Sequence, residues 1–221
     1  MKVCTDACLL GAIAVDKISD DNLPVNNILD IGTGTGLLSL MLAQKTLAAI
    51  DAVEMNAAAA RQAYENVQAS PWANKIQVHH TSIQQFVVEK KYDLIISNPP
   101  FFEEDLHSAD TAKNEAKHDT GLTLPELVLF IKNNLSEGGN AFLLLPYRRT
   151  AFLESLVAKE GLFVHWRMLA RQSLQHSFFR SIIQISAQPG NKTETQLSIH
   201  DNNRAYTPAF AALLKDYYLK L

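Results

Sequence analysis

Asn27-Ile28-Leu29-Asp30-Ile31 reads as a buried strand, and it breaks without a linker into Gly-Thr-Gly-Thr-Gly, Gly32 to Gly36. Thr35 to Lys45 then carries Leu37, Leu38, Leu40, Met41 and Leu42, the apolar pattern of a mostly buried helix. A strand that turns on glycines straight into a helix commits this part of the chain to a βα unit. The helix buries its apolar side only by packing back on a sheet, so the next strand is expected to run parallel to the first.

The alternation continues along the chain. Ala48 to Val53 is a second strand, and Asn56 offers an N-cap to an alanine-rich helix that runs to about Ala69 before Pro71. Ile76 to His79 is a third strand, Ser82 to Val88 a short helix, and Tyr92 to Ser97 a fourth strand. Thr123-Leu124-Pro125-Glu126 is a capping-box pattern opening a helix that is expected to end at Gly138-Gly139. Phe142 to Leu145 is a fifth strand, and Arg149 to Lys159 a helix closed by Gly161. Phe163 to Leu169 and Ser181 to Ala187 are two last strands, linked through Gln172-Ser173-Leu174-Gln175, and Thr207-Pro208 caps a terminal helix reaching Tyr217. The predicted class is α/β: a doubly wound, Rossmann-like, seven-stranded and mostly parallel sheet. With no helix between them, the last two strands are expected to pair antiparallel at an edge. No repeat, linker or low-complexity tract divides the 221 residues, which read as a single domain, 1–221.

A net charge of −3 argues against a protein that coats nucleic acid through bulk charge, though not against one with a local basic face. From Asn140 to Arg204 there are eight Lys/Arg against four acids, a locally positive stretch that would equally suit a solvated mixed-charge surface. Cys4 and Cys8, four apart with no His/Cys pair at zinc spacing, read as reduced thiols on one helix face rather than a metal or disulfide framework. No charge-free apolar segment approaches membrane-spanning length, and Asp6 interrupts what would pass for a signal sequence, so the expected compartment is the cytoplasm.

The glycine loop ILDIGTGTG offers bare backbone at a helix N-terminus, where a ligand can approach closely. Its spacing is GxGxG, with Leu37 where the third glycine of the dinucleotide fingerprint would stand. A purely structural turn would also use glycine. Glu54 ends the second strand about twenty residues on, where a carboxylate can accept from both hydroxyls of a ribose. Asp30, just before the glycines, can hold the loop or meet a ligand amine. Loop and acid together indicate an adenosine-containing cofactor above the strand carboxyl ends.

The fourth strand ends in Asn98-Pro99-Pro100-Phe101-Phe102, and in a doubly wound sheet it lies beside the first. An exocyclic amine on a base or amide is a poor nucleophile because its lone pair is delocalised. A site activates it by accepting both N–H groups, here through the Asn98 side-chain oxygen and the Pro99 carbonyl, held still by two residues of fixed φ. Phe101 supplies a flat face for a planar substrate.

ILDIGTGTG, Glu54 and NPPF together resemble the class I S-adenosylmethionine-dependent methyltransferases that modify amino groups. MKVCTDACLLGA (Met1 to Ala12), NPPFF and AKHD (Ala116 to Asp119) are similar to the tRNA1(Val) adenine-N6 methyltransferase family, across nearly the whole chain. The resemblance implies S-adenosyl-L-methionine as cofactor, tRNA as partner, the adenine 3′ of the anticodon as target, and no metal. It puts Thr5 and Asp6 at the methionine end of the cofactor, Gly32, Gly34 and Gly36 beneath it, Glu54 on the ribose, and Met55 beside the adenine. Asn98, Pro99, Pro100 and Phe101 would hold the target amine and base, with Phe102, His118, Arg148 and Arg149 as further substrate contacts.

The chain departs from that family in three ways. Where an acidic residue usually meets the cofactor's adenine amine, HTSIQQF (His80 to Phe86) has Ser82 followed by Ile83, and a hydroxyl accepts more weakly. Phe101 replaces the usual tyrosine, keeping the ring without the phenol. The family commonly carries a basic and aromatic stretch ahead of the MKV segment, which here starts at Met1. Guanine-N2 methyltransferases of ribosomal RNA share NPPF but tend to carry a duplicated domain. Protein glutamine methyltransferases usually carry a helical N-terminal domain. A nicotinamide-dependent oxidoreductase would call for GxGxxG and leave NPPFF without a role. A cofactor-binding scaffold without catalysis is the alternative that Ser82 and the start at Met1 leave open, to be separated from an enzyme by assaying Asn98→Ala.

Overall fold

A computed structural model describes residues 5–20, 24–99 and 122–218. The strands are β1 (Asn27–Ile31), β2 (Ala49–Glu54), β3 (Ile76–His80), β4 (Tyr92–Ser97), β5 (Leu135–Pro146), β6 (Phe163–Arg171), β7 (Phe178–Ser186) and β8 (Thr193–Ser198). They form one sheet in the order β3-β2-β1-β4-β5-β7-β6-β8. The α-helices among the described residues are α1 (Thr5–Asp20), α2 (Leu37–Lys45), α3 (Ala57–Gln68), α4 (Leu124–Asn134), α5 (Thr150–Lys159) and α6 (Pro208–Leu214). β7 pairs antiparallel with both β5 and β6, while the other five pairings are parallel, so one strand in eight runs against the rest. The chain winds outward from β1 to β3 and then returns to β4 on the other side of β1. That reversal opens a crevice above the carboxyl ends of β1 and β4.

The inner strands split their apolar residues between two cores. Ile28, Leu94, Ile96, Phe142, Leu144 and Ile182 face one side, packed with residues of α1, α2, α3 and α6. Leu29, Ile95, Leu143, Leu145, Ile183 and Ile185 face the other, packed with residues of α4 and α5. This period-two division is why the strands read as continuous apolar runs rather than alternating ones. Two caps match expectation. Asn56 accepts from the Ala58 and Ala59 N–H groups, and Thr123 forms the reciprocal capping box with Glu126.

Three expectations are corrected. The sheet has eight strands rather than seven: β8 (TETQLS) is exposed at its first four positions, so no apolar run announced it. The helix expected to reach Gly138-Gly139 ends at Asn134, and β5 starts at once with Leu135. The glycines lie in an irregularity of that strand, where pairing jumps from Leu135 to Asn140 and a Cβ on Gly139 would come within 2.9 Å of the Tyr92 carbonyl. The expected short helix at Ser82 to Val88 is only a turn over 83–85, because Ile83, Phe86 and Val88 are drawn onto the α4–α5 core.

Candidate active site

The glycine loop hangs on the second strand. The Gly32 and Thr33 N–H groups both donate to the Val53 carbonyl, at 2.9 and 3.1 Å. Gly32 has φ +72°, and a Cβ there would meet nothing within 4 Å, so the loop presents bare backbone to open space. Gly36, at φ +85°, faces Ala63 of α3 at 3.6 Å, which brings the start of α2 close against that helix.

Asp30 is fully buried beneath the loop. Its Oδ2 accepts from Thr33 Oγ1 at 2.6 Å, Ser39 Oγ at 2.7 Å and the Ser39 N–H at 3.1 Å, whereas buried Oδ1 has no partner among the described residues. Burial disfavours the charge more than these bonds favour it, and Glu54 adds like-charge repulsion, so its pKa is pushed up to about 6. Glu54 spans the loop and the next helix, accepting from the Gly34 N–H at 3.0 Å and the Asn56 N–H at 2.8 Å. Met55 beside it is 52 % exposed. The Thr81 N–H donates to the Glu54 carbonyl at 3.1 Å, which brings Ser82 to the same edge. Ser82 is partly exposed, whereas the Ile83 side chain is packed into the α4–α5 core.

On the other side of β1, Ser97 pairs with Ile31, and its buried Oγ donates to the Ile31 carbonyl at 2.8 Å. The next residues of the two strands, Gly32 and Asn98, therefore leave the sheet in adjacent columns about 4.8 Å apart. Asn98 is half-buried and Pro99 buried. Pro100, Phe101, Phe102 and His118 lie outside the described residues.

The first turn of α1 reaches this edge from above. Asp6 accepts from Arg180 Nε at 2.8 Å, and Thr5 Oγ1 accepts from the Tyr218 hydroxyl at 3.4 Å. Arg180 sits opposite Pro146 because β7 starts where β5 ends. Arg148 and Arg149 follow β5 directly in a single 3₁₀ turn, and the Arg149 guanidinium lies 5.0 Å over the Phe152 ring. Sequence reasoning missed Arg180, since only the reversed direction of β7 carries it to this edge. A cleft of about 470 Å³ continues the edge beyond β6, and one of about 410 Å³ opens at the amino edge around Asp51 and Lys90.

The donor set fits an adenosine-bearing ligand that also carries a cation: bare glycine backbone, the Glu54 carboxylate bridging the loop and the start of α3, an exposed thioether at Met55, and a buried Asp30 oxygen with no partner among the described residues. Among the described residues, no group of three His, Cys, Asp or Glu is arranged to hold a metal ion.

Residues 8–120 match the family model of the methyltransferase small domain. A tRNA1(Val) (adenine(37)-N6)-methyltransferase of Parabacteroides distasonis is 38% identical over 224 residues, covering all of this chain and 92% of the relative. One from Pseudoalteromonas translucida is 40% identical over 223 residues, covering all of this chain and 93% of the relative. Among solved structures, a predicted O-methyltransferase from Agrobacterium tumefaciens is similar in fold at 16% identity, with a TM-score of 0.72 over 96% of each chain.

Proposed function

This chain belongs to the methyltransferase small-domain family, among relatives that are tRNA1(Val) (adenine(37)-N6)-methyltransferases, and from that premise we propose its reaction. It transfers a methyl group from S-adenosyl-L-methionine to the exocyclic N6 amine of an adenine in tRNA, the adenine 3′ of the anticodon in tRNA1(Val). The observation that carries this reading is the Ile31–Ser97 pairing, which sets the glycine loop beside Asn98.

When bound, the cofactor supplies an electrophilic methyl on a sulfonium. Gly32 and Gly34 give it close backbone approach, with Gly36 shaping the start of α2. Each oxygen of the Glu54 carboxylate keeps a second lone pair beside its backbone bond, enough for both ribose hydroxyls. Met55, Ser82 and the backbone at Ile83 would flank the adenine, and Thr5 and Asp6 would meet the methionine end, with Asp30 beneath the loop.

Asn98 and Pro99 do the chemistry on the acceptor side. The Asn98 side-chain oxygen and the Pro99 carbonyl accept the two N6–H groups, which pulls the nitrogen toward tetrahedral geometry and frees its lone pair for in-line attack. The methylated ammonium sheds its proton readily, so no strong base is needed. Phe101 stacks on the base, a sequence-based expectation outside the described residues. A base in an anticodon loop is already partly unstacked, which lowers the cost of presenting it.

The test is mass spectrometry of nucleosides from total tRNA and ribosomal RNA treated with the protein and isotope-labelled cofactor. The reading expects label in N6-methyladenosine of tRNA1(Val). Label in N2-methylguanosine, or none in nucleosides, would overturn it.

A further inference from the structure

The carboxyl edge does not stop at Asn98. One strand over, β5 runs into Tyr147, which is 42 % exposed. Its ring lies 5.6 Å from the Phe178 ring, tilted by 52°, at the start of β7. The Arg171 guanidinium, at the end of β6, lies 5.2 Å over Phe178 and is braced by a bond from its Nε to Ser198 Oγ at 3.0 Å. Exposed Arg148 stands next to Tyr147. Three neighbouring strands thus present ring, ring and guanidinium at the carboxyl edge, about 5, 10 and 14 Å from the β4 column.

Exposed Tyr147 and half-buried Phe178 have little reason to pair at this edge for core packing alone, since neither ring belongs to either core. Flat faces interleaved with guanidinium groups are the chemistry that holds single-stranded nucleic acid: bases stack on rings, and phosphates meet Arg. The order of the strands gives the pair a fixed position relative to the target amine.

We propose that Tyr147 and Phe178 form a stacking platform for a nucleotide flanking the target adenine, with Arg148 and Arg171 meeting the adjoining phosphates. This rests on the reading of the site as an RNA methyltransferase and extends it from the reacting base to its neighbours. Phe178 is held from behind by Arg171, so Tyr147 presents the free face on which the flanking base lies.

The test uses two versions of the tRNA1(Val) anticodon stem-loop, each carrying 2-aminopurine on one side of the target adenine. Binding to the wild-type protein changes the fluorescence of one of the two probes. Tyr147→Ala abolishes that change and weakens RNA affinity about ten-fold. Tyr147→Phe keeps both the change and the affinity, and all three proteins bind S-adenosylmethionine equally. Arg171→Gln weakens RNA binding and lowers its salt dependence. Stem-loop affinity in Tyr147→Ala within two-fold of wild type, or Tyr147→Phe no better than Tyr147→Ala, overturns the platform. Absence of methyl transfer by the wild-type protein, with stacking intact, sinks the proposed reaction instead and leaves the platform standing.

Discussion

Arg180 donates from Nε to Asp6 Oδ2 at 2.8 Å across 174 residues of sequence, so the first turn of α1 is fastened to the strand that begins at the carboxyl edge. Both side chains are mostly screened from water, at 30 % and 21 % exposure. Because Thr5 and Asp6 are proposed to meet the cofactor, the fastening sets where that end of the site stands. A double-mutant cycle with Asp6→Asn and Arg180→Gln, read by calorimetric titration of S-adenosylmethionine, is expected to show a coupling of about 1 kcal/mol. Additive effects would mean that the pair does not organise the site.

Gly32 and Gly161 form a matched pair for testing the loop. Their φ values are +72° and +74°, and an added Cβ meets nothing within 4 Å at either. Alanine at each therefore carries a similar backbone strain of about 1 kcal/mol, visible as a similar loss in denaturant stability. Only Gly32→Ala is expected to weaken cofactor binding, by about ten-fold or more. Equal cofactor affinities would reduce the Gly32 turn to architecture.

Asp30 predicts a pH dependence. Its folded pKa is raised, to about 6, above the ordinary value of 3.8. Its contribution to stability is therefore full below the ordinary value and is lost as pH rises through about 6. A cationic ligand bound over the loop favours the carboxylate beneath it and lowers that pKa. Cofactor affinity should then rise with pH through about 6 and level off above it, with proton release on binding below that point. Calorimetry in buffers of different ionisation enthalpy reads this directly. Asp30→Asn is expected to abolish the release.

Away from the site, Asp51 accepts from His79 Nε2 at 2.8 Å and from the buried Tyr92 hydroxyl at 3.0 Å, and pairs with Lys90 at 2.9 Å. Burial opposes its charge, but these three partners outweigh it and hold the carboxyl below its ordinary range. Asp51→Ala leaves the Tyr92 hydroxyl unpaired in the core and is expected to cost about 3 kcal/mol in urea unfolding. The stabilisation is present above the ordinary carboxylate pKa of 3.8 and fades as pH falls through the depressed folded value, so wild type and variant converge in acid.

Arg148→Glu with Arg149→Glu is expected to weaken stem-loop binding and flatten its salt dependence, by about 0.7 in the log–log slope for each single-strand phosphate no longer neutralised. Filter binding across a salt series checks this. Parallel lines for the two proteins would remove these arginines from the RNA path.

Local signals were the legible ones. GTGTG after an apolar strand, the Asn56 cap and the Thr123–Glu126 box each involve residues within a few positions of one another, where short-range backbone chemistry decides the outcome. β8 was not legible because an exposed edge strand needs no apolar run. The Arg180–Asp6 tie and the Tyr147–Phe178 pair were hidden for another reason: both depend on β7 entering between β5 and β6 in reverse. The glycine loop, Glu54 and Asn98 could be named from sequence, whereas the spacing between them follows from the Ile31–Ser97 register.

Single-turnover methyl transfer to the tRNA1(Val) anticodon stem-loop by Asn98→Ala, at saturating cofactor and RNA, measures amine activation most directly. The rate is predicted to fall about a hundred-fold or more while both affinities stay near wild type. A rate within a few-fold of wild type would contradict amine activation by the Asn98 carboxamide.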